Sequence, residues 1–220
     1  MKEFSFLLFS LIFIIKSLDT SKTLMIFFTR TNNTLHFANY INEILNIETY
    51  QIIPANPYTD KVENVIELAR QERNNGTRPE IINPLIEISN YDTIFLGYPL
   101  WHSNLPNIVI NQLEKLNFKG KTIYPFNTYG TTGVGNSTND IKNYAPGAIV
   151  KEGFAISDYN IKIKNDSMIK IKKWLNKNFH IYFENIEDEE DISGKKLEYN
   201  YDKLFKFKYS LLFILYILFV

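Results

Sequence analysis

The chain has 220 residues, 45% hydrophobic, 15% aromatic and 22% charged, a globular composition with room for one ordinary domain and short extra segments. Its 24 Lys and Arg balance 24 Asp and Glu, so no net field draws the molecule to nucleic acid or to an anionic membrane. The absence of cysteine removes disulfides, thiolate metal sites, cysteine nucleophiles and CxxC redox chemistry, so a protein of this composition that handles electrons must borrow a cofactor.

At the amino end an apolar block, Phe4 to Ile15, lies between Lys2 and Lys16-Ser17. It has the length of a signal-peptide core rather than of a span of about 20 residues. Residues 1–21 are therefore read as a signal peptide, which places the protein in the secretory pathway or on a membrane; the alternative is a misassigned start in an AT-rich gene.

From 22 to 180 short apolar strands alternate with amphipathic helical stretches, the pattern of a parallel sheet covered on both faces. Leu24 to Thr29 predicts strand one, followed by a helix on Phe37, Ala38, Ile41, Ile44 and Leu45. Ile47 to Ile53 predicts strand two, and Val62, Val65, Ile66 and Ala69 a helix ending near Gly76. Thr93 to Tyr98 is strand three; Pro106 suits the first position of a helix carrying Val109, Leu113 and Leu116. Lys121 to Asn127 and Ala148 to Ile156 are strands four and five, and Met168, Ile171, Trp174 and Leu175 face the core from a last helix. The expected fold is α/β, a doubly wound five-stranded parallel sheet with helices on both faces.

Residues 181–208 form an acidic and polar linker, with Glu187 to Asp191 followed by the small pair Ser193-Gly194. Residues 209–220 are a hydrophobic tail, about 18 Å as a helix against a hydrocarbon core of about 30 Å. This order follows a GPI attachment signal and predicts membrane attachment through the tail; a short tail anchor or a plain hydrophobic extension remain alternatives.

In a doubly wound sheet, ligands bind beyond the carboxyl ends of the strands, so the loops after strands one, three and four hold the candidate site. After strand one, Thr29, Thr31, Asn32, Asn33 and Thr34 put hydroxyls and bare amides at a helix N-terminus, where an anion is favoured; Thr31 or Asn33 acting only as a cap is the competing reading. After strand three, Pro99, Leu100, Trp101 and His102 present an exposed Trp-His pair framed by Pro99 and Pro106, a platform for a flat ligand. After strand four, Thr128, Tyr129, Gly130, Gly133, Val134 and Gly135 add an aromatic and three glycines that admit close backbone approach. No residue is assigned to catalysis or to a metal.

These three loops in this order, with Tyr91 to Pro99, Arg78-Pro79-Glu80 and Ala145 to Ala148, resemble the flavodoxin family and its flavin reductase relatives over about Leu24 to Asn178. The resemblance implies a flavodoxin-like sheet of order 2-1-3-4-5 that binds FMN. Thr29, Thr31, Asn32, Asn33 and Thr34 would hold the phosphate, Pro99 to His102 would cover one side of the isoalloxazine, and Thr128 to Gly135 the other. Asn32 stands where the family usually has Gly, a position expected to turn through left-handed backbone, which Asn tolerates better than most residues.

The implied function is redox chemistry through bound FMN, either one-electron transfer to a redox partner or reduction of a small acceptor such as a quinone, with no side-chain acid or base required. The competing expectation is a surface-anchored binding module on the same scaffold that has lost its flavin. Segment 24–180 carries 16 Lys and Arg against 14 Asp and Glu, so a basic partner is not implied, nor is nucleic acid. Secretion would also expose the glycosylation sequons at Asn32, Asn75, Asn136 and Asn165, two of them in the flavin loops.

Overall fold

The structure is a computed structural model that describes residues 18–59, 61–131, 135–179 and 181. The signal peptide expected over 1–21, the linker and the tail thus lie outside the described residues, apart from 18–21 and 181. Among the described residues no helix is long and apolar enough to cross a membrane.

β1 (Thr23–Phe27) is buried along its whole length, as a central parallel strand covered on both faces must be. Its alternation splits the interior in two. Leu24, Ile26 and Phe28 enter one core, whereas Met25 and Phe27 enter the other. The other strands are β2 (Glu48–Gln51), β3 (Thr93–Pro99), β4 (Thr122–Tyr129), β5 (Ile149–Val150) and β6 (Phe154–Ser157). All pair in parallel in the order β2-β1-β3-β4-β5, with β6 also on β4.

Among the described residues five α-helices accompany the sheet: α1 (Asn33–Leu45), α2 (Val62–Asn75), α3 (Asn107–Glu114), α4 (Ser137–Tyr144) and α5 (Lys164–Phe179). On one face α1 contributes Phe37, Ala38, Ile41 and Leu45, beside Ile171, Trp174, Leu175 and Phe179 of α5. On the other, Ile108, Val109, Ile110 and Leu113 of α3 pack with Ile141 near α4's end. The doubly wound sheet expected from the strand-helix alternation is therefore present.

The fifth strand differs from the continuous run expected over Ala148 to Ile156. It is two pieces, β5 and β6, and its register on β4 slips by one residue between the Ile123–Val150 and Phe126–Phe154 pairs. The cause stands in β4. Pro125 has no N–H to give this neighbour, and a side chain at Gly153 would meet the Pro125 carbonyl oxygen at 2.9 Å.

The helix marked by Val62, Val65, Ile66 and Ala69 is present as α2, although Val62 and Ile66 are 53% and 50% exposed and its buried positions are Val65, Ala69 and Glu72. Pro106 is the N-cap of α3 rather than its first helical residue. α4 was not expected at all, because among its eight residues only Ile141 is a buried aliphatic.

Candidate functional site

Register brings the strand ends level. Phe27 pairs with Gly97, Gly97 with Phe126, and Pro99 with Thr128, so the loops after β1, β3 and β4 leave the sheet side by side. They are also bonded to one another: the Phe28 N–H donates to the Gly97 carbonyl at 2.9 Å and the Leu100 N–H to the Thr128 carbonyl at 2.8 Å. The hydroxyls of Thr34 and Thr128, both buried, lie 3.0 Å apart.

In the first loop Asn32 adopts φ 65°, ψ −1°, the left-handed turn expected there, and as N-cap its side chain makes no capping hydrogen bond to the helix that follows. The first-turn amides of α1 therefore keep their donors available, as helix N-termini do unless capped. Asn33 and Thr34 are buried, Asn32 and Thr31 exposed. Among the described residues the Thr29 hydroxyl, buried in this loop, has no hydrogen-bond partner. A buried hydroxyl left so costs about 1 to 3 kcal/mol, which an anion accepting from it would recover.

The second loop is a tight turn. Trp101 and Asn104 exchange backbone hydrogen bonds of 3.1 and 2.9 Å across His102 (φ 48°) and Ser103 (φ 63°). Two successive left-handed residues make a type I′ turn, normally the province of Asn and Gly, so His-Ser holds it under backbone strain. The Asn104 amide steadies the turn by donating to the His102 carbonyl at 2.5 Å.

Trp101 is half-buried rather than exposed, its ring edge-on to Phe28 at 5.6 Å and to Tyr58 at 4.8 Å. His102 is exposed, and its Nε2 donates to the Ile66 carbonyl at 2.9 Å. A carbonyl can only accept, so that nitrogen carries the proton.

In the third loop Thr128 is buried, Tyr129 half-buried and Gly130 exposed, while Gly133 and Val134 lie outside the described residues. Gly135 (φ 63°) sits against the second loop: a Cβ there would overlap the Ser103 carbonyl, which already accepts the Asn136 N–H at 2.6 Å.

The family model for flavodoxin matches residues 22–178, most of the chain. The chain belongs to the flavodoxin family. A solved candidate flavoprotein from Bacteroides eggerthii is 30% identical, covering 74% of this chain and 99% of its own, with a TM-score of 0.59. Another, from Bacteroides uniformis, is 25% identical over 67% of this chain and 99% of its own, with a TM-score of 0.57. A Lactobacillus acidophilus flavoprotein solved in complex with FMN shares the fold at 22% identity, covering 70% of this chain and 98% of its own, with a TM-score of 0.52. No curated protein matches.

The flavodoxin domain uses a fourth segment that the sequence reading passed over, the loop after β2. Because β2 lies beside β1, that loop reaches Trp101 through Tyr58, whose hydroxyl donates to the Glu72 carboxylate at 3.3 Å. Asp140, also unanticipated, joins α4 to the Trp101 loop by accepting from the Leu105 N–H at 3.0 Å, and it pairs with both terminal nitrogens of Arg73 at 3.1 and 3.3 Å. Isolated acidic residues in polar helices carry no periodic signal that would reveal either role.

Burial pushes Glu72 above the usual carboxylate range, opposed by its Tyr58 hydrogen bond, and burial together with the Glu72 charge pushes the Tyr58 phenol up. A raised carboxyl pKa means that the folded state holds the proton more tightly. The stability this contributes is present below the unfolded value and is lost as pH rises through the folded one. Glu72→Gln is expected to gain on the parent as pH rises through and above the ordinary carboxylate range in paired urea melts. A constant difference across that range would show that the carboxyl is not perturbed.

Proposed function

We propose that this flavodoxin-family protein binds FMN across the carboxyl ends of β1, β3 and β4 and passes electrons through it to a redox partner or a small acceptor. The carrying observation is the first loop: an uncapped helix start, a left-handed Asn32 and an orphaned Thr29 hydroxyl together fit a phosphate dianion. The FMN complex of the Lactobacillus relative supports the choice of flavin.

In this reading Thr29, Thr31, Asn32, Asn33 and Thr34 hold the phosphate. Pro99 to His102 cover one face of the ring with Trp101 as the platform, and Thr128 to Gly135 line the other. FMN supplies the one-electron and hydride chemistry. The chain's own work is to bind it, orient it and exclude water from one face. An aromatic wall excludes water and itself adds no positive charge, which disfavours the negatively charged reduced ring and lowers its potential. Oxidation of NAD(P)H by the flavin-loaded protein separates a reductase from a pure carrier.

Asn32→Gly tests the phosphate loop. Glycine keeps the left-handed turn without strain and clears side-chain volume beside the phosphate, so FMN is expected to bind about two- to fivefold tighter, or about 0.4 to 1 kcal/mol. Riboflavin, which lacks the phosphate, should hardly respond. A weaker FMN complex would instead show the Asn32 amide donating to the phosphate.

A further inference from the structure

Outside the flavin crevice the described residues form a second cleft, of about 320 Å³, between the loop after β2, the later turns of α2 and the segment that follows it. Pro57, Leu68 and Pro79 give it apolar walls, and Tyr58, Glu72 and Glu80 also line it. No Lys, Arg or His is among its lining residues, so its two acids, Glu80 and Glu72, the latter once ionised, set a negative potential that repels anions.

Glu72 is the unusual member. It is only 6% exposed, and among the described residues its carboxylate receives one hydrogen bond, the long one from Tyr58. The arginines nearest to it in sequence are engaged elsewhere, Arg70 by Glu67, Arg73 by Asp140 and Arg78 by Glu114. A buried carboxylate is stable when paired and hydrogen-bonded, so one facing a cleft without a cation is a place where an outside cation gains most. An ammonium offers three donors to such a group, and an alkyl stem matches the proline and leucine walls.

We propose that this cleft binds a small organic cation, a primary ammonium on a short alkyl stem, with the ammonium on Glu72 and the stem along Pro57, Leu68 and Pro79. The cleft, of about 320 Å³, has room for a short alkyl stem. Tyr58 sets the inner wall, and through its edge contact with Trp101 the cleft adjoins the flavin crevice, although binding here does not depend on flavin.

The test is calorimetric titration of the full chain, without flavin, using n-butylammonium chloride, sodium butyrate and n-butanol as probes. We expect n-butylammonium to bind once per chain and the other two to bind at least tenfold more weakly, since neither offers a cation to the carboxylate. Glu72→Gln should weaken n-butylammonium at least tenfold and Glu80→Gln about threefold, the second acting only through the field. Butyrate binding as tightly as the amine, or undiminished amine affinity in Glu72→Gln, would overturn the proposal. So would the absence of binding by parent chain whose circular dichroism shows it folded. Should Glu72→Gln fail to fold, Glu80→Gln decides in its place: an unchanged affinity there counts against the site.

Discussion

Gly97→Ala is expected to cost about 3 kcal/mol or more of folding stability, read as a lowered urea midpoint with an unchanged slope. Gly97 sits inside β3, where a glycine is normally a weakness. It is required here because Phe126 on one neighbouring strand lays its ring over the position and Phe27 closes it from the other. An added Cβ would overlap the Phe126 ring and stand 2.8 Å from the Phe27 Cβ. Phe126 cannot give way easily, being fully buried and edge-on to Phe37 at 4.9 Å. A loss below about 1 kcal/mol would mean that the Phe126 ring is not fixed over β3 as described.

The two tryptophans should separate folding from binding. Trp174 is 7% exposed on α5, within 5.7 Å of Phe95 and of Phe154, so Trp174→Ala is expected to lose about 3 to 5 kcal/mol of stability. Its indole N–H has no partner among the described residues, so the expected loss comes from packing rather than from a hydrogen bond. Trp101 is half-buried at the carboxyl end of β3, and stacking on a flat ring is worth about 1 to 3 kcal/mol. Trp101→Ala should therefore weaken FMN binding by about 5- to 150-fold. Trp174→Ala should leave the affinity of its folded fraction close to that of the parent. Equal FMN affinities for the two variants would place the flavin ring away from Trp101.

Much of this fold was legible because its strands are buried on both faces. Leu24 to Phe28, Thr93 to Tyr98 and Thr122 to Asn127 read as continuous apolar runs, and the helices between them keep a helical period. The left-handed turn at Asn32 was legible from the resemblance, which puts a glycine there. What stayed hidden has no period. The break in the fifth strand depends on a proline in its neighbour, α4 buries few apolar side chains, and Val62 and Ile66 mimic a core stripe on a helix face that remains exposed. Tyr58 reaches the crevice only because β2 is placed beside β1, a fact of topology that no local window contains.

The crevice shows the same division. Residues that act through backbone shape, such as Asn32 and Gly135, announce themselves by type. Asp140 and Glu72 act by linking segments distant in sequence, Asp140 reaching Leu105 and Arg73, and Glu72 reaching Tyr58. These links that support Trp101 are therefore visible only once the chain is folded.

The most direct test of the account is a titration of the folded full chain with FMN, followed by flavin fluorescence and by the visible spectrum after desalting. The account predicts one FMN retained per chain, a yellow protein, and quenching that is lost in parallel with affinity in Trp101→Ala. Folded protein that leaves the column colourless after incubation with excess FMN would contradict it.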